Sequence, residues 1–274
     1  MDSVESLVRS KAAVTYDAAA DHFDEAPLAF WNRHGQLAVE RLGLRSGDRV
    51  LDVGCGTGAS ALPAAVAVGP TGTVTGIDVA ANMLKRARGK AQALSLENVD
   101  FVIADMSATG FPDESFDSVI SIFSVFFVAD MEAQIAELWH MLRPNGRLAI
   151  TVWSKNAFQP AASIFGEELC RLRPDLAMPT RPWERLSNPD ALRRLMLDGG
   201  TTPPNIVVID DRQTLIHSDD WWTIAMGSGY RWEIEQLAPA EQSELRRRTS
   251  RRLSDMGADA IETAAIHAVA IKAG

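Results

Sequence analysis

Short β-rich runs alternate with segments of helical period along the first half of the chain, a pattern that predicts crossover units and a mostly parallel sheet. The runs fall at 49–53, 73–78, 99–104, 116–122 and 147–153, each followed by a turn or a helix. Gly69-Pro70-Thr71-Gly72 and Pro144-Asn145-Gly146 are turn chemistry just ahead of the second and fifth runs, marking where helices end and strands resume. The Ala-rich stretch 59–67 predicts a helix that tolerates Pro63 near its first turn, and a further helix is expected over 27–42.

Beyond Trp153 the pattern changes. Pro160, Pro174, Pro179, Pro182 and Pro189 break 154–204 into short helices or loops, which reads as an inserted cap. Segments 205–216 and 264–272 read as strands that complete the sheet as an antiparallel pair, and 218–257 between them reads as largely helical. The expected division is N-terminal cap helices over 1–45, a core over 46–153, a cap insertion over 154–204, and C-terminal strands over 205–274 carrying the 218–257 insertion.

A length of 274 residues fits one sheet with an appended lid. No stretch approaches the ~18 consecutive apolar residues of a membrane span. The first residues, with Asp2 and Glu5, lack the basic and apolar parts of a signal peptide, so a cytoplasmic chain is expected. Two cysteines, Cys55 and Cys170, and five scattered histidines give no metal-ligand spacing, and no metal is expected. The net charge of −9 opposes binding of nucleic acid. The only basic run is Arg246-Arg247-Arg248 with Arg251-Arg252; Glu244 stands at helical spacing from Arg247 and Arg248, with Glu241 one turn earlier, so the run reads as an ion-paired, solvated helix face. The expected partner is a small molecule, with the chain a monomer or homodimer.

The chemistry is concentrated in residues 50–58, Val-Leu-Asp-Val-Gly-Cys-Gly-Thr-Gly. An apolar strand delivers Asp52, and Gly54, Gly56 and Gly58 let the backbone pass close to a bulky ligand. Gly54, Gly56 and Ala59 also satisfy the G-x-G-x-x-[G/A] pattern of dinucleotide folds, and Asp78, ending the second run, suits a ribose diol in either reading. Asp52 stands before the first glycine, and a further acid, Asp105, follows the third run.

With Leu142-Arg143-Pro144-Asn145-Gly146-Arg147-Leu148, these motifs resemble those of class I S-adenosylmethionine-dependent methyltransferases over residues 45–153. The resemblance implies an α/β fold: a doubly wound, mostly parallel seven-stranded Rossmann-like sheet with helical cap insertions, and S-adenosylmethionine as cofactor. It places Gly54, Gly56 and Gly58 beside the methionine part, Asp52 toward its ammonium, and Asp78 on the ribose hydroxyls. Val79 and Met83 would flank the adenine, Asp105 and Met106 would hold its edge and face, and Ser121 joins the set. For the two methionines ordinary core filling is the competing reading. Tyr16 resembles the tyrosine of a helix that closes over the cofactor, or else is a packed lid aromatic.

The fourth run and its exit, Phe116 to Phe127, lack the Asn/Asp-Pro-Pro-Tyr tetrad of amino-directed enzymes and are closer to the ubiquinone/menaquinone C-methyltransferase type. Many of those carry His where this chain has Phe126. Five of seven tryptophans lie at or after the end of the fifth run, which points to an apolar acceptor pocket or to glue between cap and core. Trp31, Phe123, Phe126, Phe127, Trp153, Trp183 and Trp222 are its candidates. His34, flanking the stripe of Leu28, Trp31, Ala38 and Leu42, is the candidate base, against a satisfied boundary histidine; His140 is expected in solvent. The expected activity is methyl transfer to a small, largely apolar aromatic or prenyl-like metabolite. An NAD(P)-linked oxidoreductase and a non-catalytic S-adenosylmethionine-binding protein are the alternatives.

Overall fold

The computed structural model describes residues 4–176 and 180–274; Asp2, the Glu5 side chain and Pro179 lie outside the described residues. Helices α1 (Val4–Ala19) and α2 (Phe30–Leu42) precede β1 (Arg49–Val53). Then α3 (Ala61–Val68), β2 (Thr73–Asp78), α4 (Ala81–Ala93), β3 (Val99–Ile103), β4 (Phe116–Ile122), α5 (Met131–His140) and β5 (Leu142–Trp153) follow. Next come α6 (Ala161–Leu172), α7 (Pro189–Asp198), β6 (Asn205–Ile209) and β7 (Arg212–Thr214). Helices α8 (Asp220–Met226), α9 (Arg231–Glu235) and α10 (Pro239–Asp255) lead to β8 (Ala260–Glu262) and β9 (Ala265–Ile271).

Seven strands form one sheet in the order β3-β2-β1-β4-β5-β9-β6, in which β9 alone runs antiparallel to its neighbours. Successive residues of the central strands feed different cores, as the two-residue period of a strand requires. Val50, Ile120 and Ala149 pack with Leu62, Val68, Leu84 and Phe101. Leu51, Val53, Val119, Leu148 and Ile150 join a larger cluster that runs on through Trp153 into Phe158, Phe165, Trp221 and Tyr230 of the cap. Core and cap therefore share one apolar interior. Strand order reverses at β1, between β2 and β4, and a doubly wound sheet opens its ligand crevice at such a point, outside the carboxyl ends of the strands.

Three local expectations are corrected. The predicted strand 205–216 is two strands: β6 completes the main sheet, while β7 pairs with β8 in a separate two-stranded sheet. The break falls at Asp211, whose carboxylate accepts from Arg33 Nη2–H (2.8 Å) and Thr263 Oγ1–H (2.7 Å), partners remote in sequence. The turn at Pro144-Asn145-Gly146 lies inside β5 as a bulge, where Phe116 pairs Leu142 but Ser118 pairs Arg147. Asn145 sits there at φ 65°, which Asn tolerates better than other residues with a Cβ. The helix expected over 27–42 begins as a separate 3₁₀ turn, Ala26–Leu28, and α2 ends on Gly43 at φ 63°.

Candidate active site

The glycine loop leaves β1 and folds back on β2. Gly54 N–H and Cys55 N–H both donate to the Ile77 carbonyl (2.8 and 3.0 Å), and Gly56 N–H donates to Asp78 Oδ2 (2.9 Å). Gly54 has φ 70°, and a Cβ there would stand 2.4 Å from Ser124 Cβ, so the loop and the β4 exit are packed with no room for a side chain. Ser124 Oγ donates to the Val53 carbonyl (2.8 Å) and is hydrogen bonded to Ser121 Oγ (2.7 Å), which ties the two strand ends together. From below, Gly35 of α2 would carry its Cβ 2.1 Å from the Ala59 carbonyl oxygen; only a glycine lets this helix press against the loop backbone.

These elements enclose a cleft of about 110 Å³. Of the residues singled out in the sequence, Tyr16, Gly54, Gly56, Asp78, Val79, Met83, Asp105 and Met106 line it, together with Trp31, Phe123 and Phe127. Asp78 Oδ1 also accepts from Ala80 N–H (2.9 Å), and burial raises its pKa against these hydrogen bonds. Asp105 Oδ1 accepts from Ser107 N–H and Oγ–H (2.9 and 2.8 Å), while Gln134 Nε2 donates to the Met106 carbonyl (2.8 Å). Two carboxylates at neighbouring strand ends, a glycine cradle and apolar walls of Ile77, Met83 and Met106 fit a nucleoside carrying a polar tail. The Tyr16 phenol is held protonated, its pKa raised first by burial and then by the nearby Asp78 charge.

The N-terminal segment is fastened over this cleft by polar contacts. Asp17 accepts from Asn82 N–H (2.7 Å) and Nδ2–H (2.8 Å) at the start of α4, and Asp24 Oδ1 accepts from Thr57 Oγ1–H and Lys90 Nζ–H (both 2.8 Å).

Several other candidates are placed elsewhere. Asp52 is fully buried and reaches the cleft only through Ser60, whose Oγ–H donates to its Oδ2 (2.7 Å); burial pushes its pKa up to about 7. Gly58 and Ser121 are buried and do not line the cleft. Phe126, Trp153 and Trp183 wall a second, much smaller chamber of about 10 Å³, roughly the space of one water, with Phe158, Ser228, Gly229 and Tyr230. Trp222 lines neither space and lies beneath Arg246 (6.0 Å). Cleft and chamber share Tyr16, Trp31 and Phe123 as a common wall.

His34, the candidate base, is corrected by its surroundings. It is fully buried behind Phe123 and Trp153, and its Nε2 lies 2.7 Å from the Thr263 carbonyl, which can only accept. Nε2 therefore carries the proton, and Nδ1 accepts from His267 Nε2–H at 3.0 Å. His267 Nδ1 in turn faces Thr151 Oγ1 at 3.2 Å. Burial lowers both histidines, His267 to about 3, so both are neutral and His34 has no lone pair left for a substrate. His140 is exposed, as expected. The basic run on α10 is ion-paired, Arg246 with Asp219, Arg247 and Arg248 with Glu244, and Arg252 with Glu167 and Glu168.

Sequence reading missed Phe23, Cys55, Ser60, Ile77, Ala104, Ile122, Ser124 and Val128 on the cleft wall. For Ser60 and Ser124 the signal was proximity to the glycine loop and to the end of the fourth run. Phe23 carried none, because it stands 31 positions before Gly54 and only the folded lid brings it over the loop.

Known proteins carry the same pattern. A methyltransferase domain matches residues 50–146. Aklanonic acid methyltransferase DauC of Streptomyces sp. (strain C5) is 35% identical over 147 residues, covering 54% of this chain and 67% of that protein. The ubiquinone/menaquinone biosynthesis C-methyltransferase UbiE of Pseudomonas savastanoi pv. phaseolicola is 37% identical over 144 residues, 52% of this chain but only 55% of that enzyme. Among solved structures, Haemonchus contortus phosphoethanolamine N-methyltransferase 2, in complex with phosphomonomethylethanolamine and S-adenosylhomocysteine, superimposes with a TM-score of 0.59 at 18% identity, over 97% of this chain and 60% of that one. That likeness shows the fold. With the glycine cradle and paired strand-end carboxylates in place, and the domain match spanning them, the chain belongs to the S-adenosylmethionine-dependent methyltransferases.

Proposed function

We propose that this protein methylates a small, largely apolar aromatic or prenyl-like metabolite, bound against the aromatic wall of the cofactor cleft. The observation that carries this reading is that wall: Tyr16, Trp31, Phe123 and Phe127 line the same cleft as the glycine-loop residues, so an apolar ligand packed on them lies against a ligand in the glycine cradle. S-adenosylmethionine, when bound, supplies a sulfonium-activated methyl group. Gly54 and Gly56 would admit its methionine part, Asp78 would accept from the ribose hydroxyls, and Asp105 would accept from the adenine amino group between Met83 and Met106. Asp52, with Ser60, would orient the ammonium from behind the loop. The aromatic wall would hold the acceptor's nucleophilic atom in line with that methyl group, and the acceptor's proton would pass to water. No histidine is assigned as base; holding the partners in line supplies about 7–11 kcal/mol of the barrier, against the 10²–10⁴-fold a base typically adds.

The cap segments 1–45, 154–204 and 218–257 would select the acceptor, in a cytoplasmic protein acting as monomer or homodimer and binding no nucleic acid. Among the described residues no helix is long and apolar enough to cross a membrane. Calorimetric titration with S-adenosylhomocysteine and separately with NAD, followed by turnover of a phenol, quinol and amine panel with methyl-labelled S-adenosylmethionine, tests the reading. Binding of NAD without S-adenosylhomocysteine would sink it; tight binding with no labelled product from any acceptor would favour a non-catalytic binder.

A further inference from the structure

The wall between cleft and chamber is built around one indole. Trp31 is 7% exposed and its ring is locked: stacked on Phe23 (5.0 Å, 5°), edge-on to Phe123 (5.4 Å), and tilted against Phe30 (4.8 Å) and Trp153 (5.4 Å). Its Nε1–H is buried and has no hydrogen-bond partner. Among the described residues lining either space, no other side chain buries a nitrogen or oxygen without one. Trp221 Nε1 is unpaired too, yet it borders neither cavity, so position rather than burial alone sets Trp31 apart. A buried donor without an acceptor is destabilising unless something else supplies the lone pair.

Resting on the methyl-transfer reading above, we propose that Trp31 Nε1–H donates to an oxygen of the methyl acceptor and so sets its register against the cofactor, making the acceptor class a planar aromatic that carries a carbonyl, phenol or carboxyl oxygen. An indole N–H only donates, so its partner must offer a lone pair; a protonated amine or a bare hydrocarbon has none to give. Phe23, Phe123 and Phe127, with Trp31 on the cleft wall, suit a flat ring by stacked and edge-on contact. The hydroxyls of Tyr16 on that wall and Tyr230 in the chamber stay protonated, Tyr230 pushed up to about 12 by burial, so neither space presents a phenolate to draw a cation.

The test uses the protein loaded with S-adenosylhomocysteine and two probes of one shape, 2-naphthol and naphthalene, with binding measured for wild type and Trp31→Phe. In parallel, the indole N–H signals are followed by NMR in ¹⁵N-Trp protein. The expected result is about tenfold tighter binding of 2-naphthol, one good hydrogen bond, a ratio that falls to about one in Trp31→Phe, and a downfield move of one indole proton absent from the variant. An unchanged ratio in Trp31→Phe overturns the proposal, as does failure of both probes to bind. A downfield indole shift on adding S-adenosylhomocysteine alone, with weaker S-adenosylhomocysteine binding by Trp31→Phe, also overturns it, by giving the N–H to the cofactor. Should Trp31→Phe not fold, the wild-type spectra with the two probes decide. Failure of wild type to bind S-adenosylhomocysteine is separate and strikes the cofactor reading instead.

Discussion

The glycine-loop half and the cap half are built with opposite chemistry. Around the loop the determinants are backbone and carboxylate: Gly54 at φ 70°, N–H groups donated to Ile77 and Asp78, and serine hydroxyls bridging strand ends. In the cap they are rings: Trp153, Phe158, Trp183, Trp221 and Tyr230 contact one another edge-on or tilted, with centroids 4.8 to 6.4 Å apart. A cradle of the first kind suits a ligand with a charged tail and a ribose, where each hydrogen bond is directional. A box of the second kind is filled by its own rings and takes its shape from packing.

If that contrast is right, truncating the cap should cost stability, and truncating the loop carboxylates should cost binding. The largest effect is expected for Phe158→Ala, which empties a fully buried site where cap meets core. Loss of about 3–5 kcal/mol in denaturant unfolding is anticipated; a loss below about 1 kcal/mol would show that the cap is not packed as one body with the sheet. Asp78→Ala should weaken S-adenosylhomocysteine binding by about 1.5–3 kcal/mol, roughly 10- to 150-fold, and Asp105→Ala by no more. Calorimetry checks both, and a larger fall in stability than in binding would break the comparison.

Gly35→Ala probes the seam between the halves. A Cβ 2.1 Å from the Ala59 carbonyl oxygen forces α2 off the loop, so overpacking of about 1–3 kcal/mol is expected despite the better helix propensity of alanine. A more stable variant, by thermal melt, would contradict the packing.

The smallest effects are in pH. His267, lowered to about 3 from the ordinary 6.5, contributes stability that is present above pH 6.5 and is lost as pH falls toward 3, by up to about 1.4 kcal/mol per pH unit. Asp52, raised to about 7 from 3.8, works the other way: its contribution is full below pH 3.8 and is lost as pH rises toward 7. The two slopes oppose between pH 4 and 6.5. Asp52→Asn should therefore steepen the loss of stability on acidification and His267→Gln should flatten it, read from denaturant midpoints at pH 4.5, 5.5 and 7. Unchanged slopes in both variants would remove the buried-charge account.

How much was legible follows from how far apart the interacting residues lie in the chain. Asp52 and its three glycines sit within seven residues, Asp78 closes β2 and Asp105 follows β3 by two residues, so spacing alone brought out most of the cofactor wall. The cap was read as aromatic and helical, but its seven ring candidates divided between two spaces and, for Trp222, neither. The periodicity of 205–216 was strand-like throughout; the break came from Asp211 turning to Arg33 and Thr263.

By itself the sequence determined the parallel core, the glycine cradle and the pair of strand-end acids, because each is specified by residues adjacent along the chain through strand pattern, positive φ and turn chemistry. Only the tertiary structure decided that His34 spends both ring nitrogens on Thr263 and His267, more than 200 residues away, and that Trp31 stands with an unpaired N–H where two cavities meet. Hydrogen-bond satisfaction depends on which distant groups packing brings within about 3 Å.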